Sequence, residues 1–182
     1  MKNISRLFLF LSILILFTAM QCENEPFAYK TVYSEKLINI ETKSNYIIYD
    51  SLFVNATFSR YIKENGFPNL LDVYKTSSSK AFNVNITIEK KNNNNMWEKL
   101  DIYANAVLIK GDLDYYGKAT VLNPLNNYYE YKIAFPLLET GQFRMNVSET
   151  LRQSEYSEKI ELTIFTNIEE LNEEGFYYFT VN

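Results

Sequence analysis

Three carboxylate pairs are the side chains of this chain best spaced for chemistry: Asp112 with Asp114, Glu169 with Glu170, and Glu173 with Glu174. Two acids flanking a glycosidic bond can hydrolyse it, one protonating the leaving oxygen while the other attacks or activates water. That work needs a concave, partly desolvated site that keeps one acid protonated. Each pair here lies among polar residues in an expected turn, so all three read as solvated charge. Asp112-Leu113-Asp114-Tyr115-Tyr116-Gly117 places oxygen ligands at alternate positions before a glycine, as a calcium loop does at its start. Tyr116 then occupies the fifth position, and Asn123 the twelfth, where a bidentate Glu belongs. No metal site is expected.

The chain has no histidine. This removes Ser-His-Asp and Cys-His catalysis and the commonest zinc ligand. The single cysteine, Cys22, stands at the end of the leader, and no glycine-rich phosphate loop is present. The expectation is a protein without catalytic residues and without a cofactor. With 15 Tyr and 13 Phe, aromatic contact is the chemistry that remains, because exposed rings form platforms for sugars or anchors for protein partners. Most of these rings alternate with polar residues and belong to a core. Trp97, Tyr115, Tyr116 and Tyr128 lie near bends or outside the alternation, and are the candidates to face a glycan or protein ligand.

The leader has three parts. Lys2 and Arg6 give a positive start, Leu7 to Phe17 is apolar apart from Ser12, and Thr18 to Cys22 follows. This is the layout of a secretory signal, and its apolar run is short of the ~20 residues a membrane span needs. Ending on Cys22, it resembles a bacterial lipoprotein signal, in which the cysteine becomes the acylated first residue; Met20 and Gln21 stand where that signal usually has other residues. The alternative is an ordinary signal peptide and a secreted protein. Residues 1–22 are thus assigned to the signal, 23–26 to an acidic tether and 27–182 to one folded domain. The 18 basic residues fall to 16 once Lys2 and Arg6 are removed, against 22 acids. A net charge of that sign argues against nucleic acid, whose phosphates must be neutralised by Lys and Arg.

The elements that must position these residues are strands. Leu52, Val54, Ala56 and Phe58 alternate with polar residues, as do Phe82 to Ile88, Tyr129 to Phe135, Phe143 to Val147 and Ile160 to Ile164. Period two marks half-buried strands. Phe82 to Glu89 reads as one continuous strand, turning at Asn92 to Asn95 into a returning strand from Trp97. Ala104 to Ile109 reads equally as helix or strand, Lys63 to Lys80 as an excursion covering a sheet edge, and Glu149 to Ser157 as a polar connection. Gly is scarce and Asn abundant, so Asn is expected to take over turn positions. Short strands with turns at about ten-residue spacing predict an all-β, antiparallel, immunoglobulin-like β-sandwich without a disulfide. A small closed β-barrel is the alternative.

Three stretches, Asp50 to Ile62 (DSLFVNATFSRYI), Pro136 to Val147 (PLLETGQFRMNV) and Glu173 to Asn182 (EEGFYYFTVN), together with the signal ending at Cys22, resemble small lipoproteins of Bacteroidota-type bacteria. The resemblance implies a sandwich fold and an outer-membrane lipoprotein of the cell envelope. It also implies that acids after the lipid-bearing cysteine, here Glu23 and Glu25, can act as an export tag for the outer surface. The functional expectation is a non-enzymatic, envelope-anchored binding or structural module, joined to the membrane through a lipid on Cys22. The alternative function is a glycan-binding accessory in polysaccharide uptake.

Overall fold

The structure is a computed structural model that describes residues 28–64, 66–112, 120–123, 125–155 and 160–182. The period-two stretches form strands because alternate apolar side chains can all be buried on one face of a pleated chain. In order these are β1 (Ala28–Tyr33), β2 (Ile38–Glu41), β3 (Ser51–Ser59), β4 (Tyr61–Lys63), β5 (Leu70–Asp72), β6 (Ala81–Asn83), β7 (Ile86–Lys91) and β8 (Trp97–Lys99). They continue as β9 (Val107–Lys110), β10 (Thr120–Asn123), β11 (Tyr128–Pro136), β12 (Gly141–Val147), β13 (Thr150–Gln153), β14 (Ile160–Phe165) and β15 (Tyr177–Val181). One short helix, α1 (Val73–Ser77), interrupts them.

Two sheets face each other as an antiparallel sandwich, as expected of the immunoglobulin-like, disulfide-free type. The larger, in the order β1-β14-β13-β6-β10-β11-β3-β2 with β9 also on β11, curls into a half-barrel. The smaller has the order β15-β12-β7-β8. Among the described residues β1 and β14 are the named strands that pair in parallel. Between the sheets lie Val54, Ile133, Met145, Leu162 and Ile164, all fully buried. At one end of this core Phe58, Phe82 and Tyr129 pack ring on ring, with centroids 4.8–5.9 Å apart. The buried Tyr129 hydroxyl donates to the Ser79 carbonyl at 2.8 Å, so this aromatic core leaves no polar cost there.

The stretch expected as one strand from Phe82 to Glu89 is two. β6 belongs to the large sheet and β7 to the small one, and the chain crosses between them at Val84 and Asn85. β12 and β13 make the same crossing alongside, joined at the corner by the Ser148 amide donating to the Asn85 carbonyl at 2.9 Å. Val147 faces Ile86 before the corner and Arg152 faces Asn83 after it. More chain is therefore taken up on the β12–β13 side, as in a bulge that bends a strand. Phe82, Val84, Ile86 and Ile88 all stay buried through the bend.

Three further readings are corrected or resolved. Glu149 to Ser157 holds β13, which buries Leu151 between polar neighbours. Ala104 to Ile109 runs from the end of a 3₁₀ turn, Ile102–Ala104, into strand β9. The excursion from Lys63 to Lys80 is a β4–β5 hairpin leading into α1, with Ile62 and Val73 buried beneath it. Asp72 caps α1, its carboxylate accepting from the Lys75 amide at 3.0 Å. The expected role of Asn in turns is met at Asn95 and Asn127, both left-handed at φ 59°. Gly111 is obligatory in a different way: a Cβ there would sit 2.7 Å from the Glu130 carbonyl oxygen, and its φ is +88°.

Candidate functional site

On the outer face of the small sheet the exposed Tyr178 and the half-buried Trp97 and Phe176 meet two cations. Phe143, Met145 and Val147 of β12 point into the core, so Gln142, Arg144 and Asn146 point out. Register then places Arg144 opposite Tyr178 of β15 on one side and Glu89 of β7 on the other. The Arg144 guanidinium is bonded to the Glu89 carboxylate. It also lies over two rings, 4.1 Å from the Phe176 centroid and 4.7 Å from that of Trp97. Trp97 meets Tyr178 edge-on at 5.8 Å, and Tyr178 meets Phe176 at 6.1 Å. Lys91 sits over the other side of the platform, 5.8 Å from the Trp97 centroid. Each such cation–ring contact contributes about 0.5–1 kcal/mol where exposed.

Asparagine turns set these rings in place. The Asn92 side chain accepts from the amides of Asn94 and Met96, both at 2.9 Å, and its amide group donates to Glu98 at 2.6 Å. That closes the β7–β8 hairpin and fixes Trp97 opposite Lys91. Asn172 does the same at the other edge, accepting from Glu174 and Phe176 amides at 3.1 and 3.0 Å. Asn146, on the platform itself, donates to the Gly175 carbonyl at 2.7 Å. The Tyr178 hydroxyl donates to Glu174 at 3.0 Å.

The platform rests on a second layer of rings. Phe179 stacks on Phe143 at 5.4 Å and on Tyr177 at 5.6 Å, with Tyr46 tilted against it at 5.3 Å. Burial, then a hydrogen bond to Tyr46, raises the Tyr177 phenol well above its ordinary pKa. Above it, Trp97, Tyr178, Lys91, Gln142 and Thr180 border an open depression of about 340 Å³. A narrower apolar cleft of about 170 Å³ opens where β8 meets the end of β11, between Leu100, Ile102, Phe135 and Leu137.

Of the residues singled out from the sequence, Trp97 lies on this platform. Tyr128 is 43% exposed but belongs to the large sheet, opposite Ser59, and joins no ring cluster of the described residues. Tyr115, Tyr116 and Asp114 lie outside the described residues, as do Cys22, Glu23 and Glu25. Glu169 is bonded to Lys36 at 2.8 Å, and Glu173 and Glu174 lie exposed on the Asn172 turn. Glu170 turns one carboxylate oxygen away from solvent without a hydrogen-bond partner. Among the described residues no group of three or more Cys, Asp or Glu is placed to hold a metal ion. Sequence reasoning missed Tyr178, Phe176 and Arg144.

The chain matches no family model, no curated protein and no solved structure.

Proposed function

We propose that this chain is a non-enzymatic binding module of the bacterial cell envelope, held to the membrane by a lipid on Cys22, with the outer face of the small sheet as its contact surface. The observation that carries the binding role is Arg144, locked between Glu89 and two rings on an exposed sheet face. Rings held this way lose little freedom on contact, which is what a preorganised surface needs. The leader ending on Cys22, with no other cysteine in the chain, supports the anchor. Cys22→Ser is expected to move the protein from the membrane fraction to the soluble one. Unchanged membrane partition would sink the lipid anchor, and an unsubstituted protein already in the soluble fraction would leave a plain secreted protein.

The ligand best suited to the surface is a neutral glycan. Trp97 and Tyr178 offer apolar ring surface for a sugar's C–H face, while Gln142, Thr180 and Lys91 stand around them as hydrogen-bonding groups. Rings side by side along an open, shallow depression suit a chain lying across them. Trp97→Ala is expected to weaken binding about tenfold, the loss of one ring contact of ~1.5 kcal/mol, while the loss of its two cation–ring contacts lowers stability to urea by about 1–2 kcal/mol without unfolding the domain. A protein that binds nothing on a broad glycan array refutes the glycan and leaves the platform to a protein partner.

A further inference from the structure

The β4–β5 hairpin presents a second apolar surface, and its position relative to the tether gives it an occupant. Ile62 is buried, so Tyr61 and Lys63 point outward from β4. Leu70, paired with Lys63, is 60% exposed, and Phe67 in the turn is 58% exposed. The hairpin has two acids among its described residues, and both are neutralised. Glu64 is bonded to Lys30 at 3.0 Å, and Asp72 takes Arg60 through both oxygens at 2.7 Å. Lys63 has no ion pair among the described residues, so the outward face is apolar and mildly cationic.

Lys30 fixes where this face lies. It belongs to β1, two residues after Ala28, and its ammonium stands 5.6 Å from the Phe67 ring centroid. The hairpin tip is therefore beside the point where the chain enters the fold. Cys22 precedes Ala28 by six residues, a span of at most ~20 Å when fully extended. A lipid on Cys22 keeps Ala28 within that distance of the bilayer, and Phe67 at most roughly 20 Å further.

We infer that the outward face of the β4–β5 hairpin, with Phe67 and Leu70 at its centre, rests in the headgroup layer of the membrane that holds the Cys22 lipid. The inference rests on the lipid anchor proposed above. Rings and leucines inserted about 5–10 Å into that layer add a second, weak attachment to the acyl chains, and a lone cation beside them favours anionic headgroups. Two attachments hold one orientation where a tether alone would leave the domain free to tumble.

The test uses the full acylated protein in vesicles of phosphatidylethanolamine and phosphatidylglycerol. A nitrobenzoxadiazole label is placed on Phe67→Cys, on Leu70→Cys, or on Met96→Cys at the β7–β8 turn; the acylated Cys22 has no free thiol. Flotation of the vesicles is measured first. Labels at 67 and 70 are expected to shift to shorter wavelength and to lose about threefold in quenching by aqueous iodide, whereas the label at 96 does not change. Protein that floats with all three labels equally quenched overturns the hairpin contact and leaves the anchor standing. Protein that fails to float overturns both.

Discussion

Arg144 and Lys132 stand on central strands of the two sheets, each bonded to a carboxylate of another strand, and their surroundings differ. Lys132 runs over the Phe53 ring at 5.0 Å to reach Glu41 on the far strand β2. Among the described residues its partners are one ring and one acid. Arg144 shares its charge among Glu89, Trp97 and Phe176, and those rings touch Tyr178 in turn. An exposed pair is worth little because solvent competes with it and both side chains lose freedom. A guanidinium held flat against rings and a carboxylate is partly shielded, and its planar fork matches both kinds of partner. The small sheet thus has several rings joined through one cation, where Lys132 on the large sheet joins one ring to one acid.

The strongest way to break that contrast is from below. Phe179→Ala removes the ring on which Phe143, Tyr177 and Tyr46 pack, and is expected to cost about 3–5 kcal/mol, read from the urea midpoint. A loss under 1 kcal/mol would mean that the platform does not rest on this layer. Next in size, Arg144→Ala is expected to cost about 1–2 kcal/mol, since Glu89 is left without its cation, while Lys132→Ala costs under about 0.5 kcal/mol. Equal losses in the two variants would erase the distinction between the sheets.

The smallest effect sharpens the large-sheet side. Hydrogen bonds from Lys110 first, then Asn123 and Asn126, hold the Glu130 carboxyl at about 2 against an ordinary 4.5. A carboxylate depressed on folding contributes stability that is complete above the unfolded pKa and is lost as the pH falls from 4.5 towards 2. Lys110 is largely exposed, so solvent screening reduces the contribution to about 1 kcal/mol. Glu130→Gln is expected to remove this acid limb from a plot of stability against pH. An unchanged limb would assign it to other carboxylates.

Much of the fold was legible because burial on one face writes itself as period two. Tyr129 to Phe135 and Phe143 to Val147 became β11 and β12 with the expected residues inward. The corner at Val84 and Asn85 was not legible for the same reason. Both sheets face one core, so a strand that changes sheets keeps its inward side chains inward, and the alternation runs through unbroken. β13 was hidden because a four-residue strand with one buried side chain reads as polar. At the site, Trp97 could be picked out as a large ring beside a turn. Arg144 and Tyr178 could not, since their meeting depends on the β12–β15 register, a pairing between segments over thirty residues apart in sequence. Tyr128 shows the converse, an exposed ring that joins no ring cluster among the described residues.

The corner itself has a consequence for how the protein comes apart. Two adjacent strands cross it together, tied by the Ser148 to Asn85 bond, so each sheet contains half of a strand pair whose other half belongs to its partner. Neither sheet can melt while the other stays intact without tearing that pair in the middle. The sandwich is one cooperative unit, and heat or denaturant should remove the ring platform and the half-barrel in a single transition.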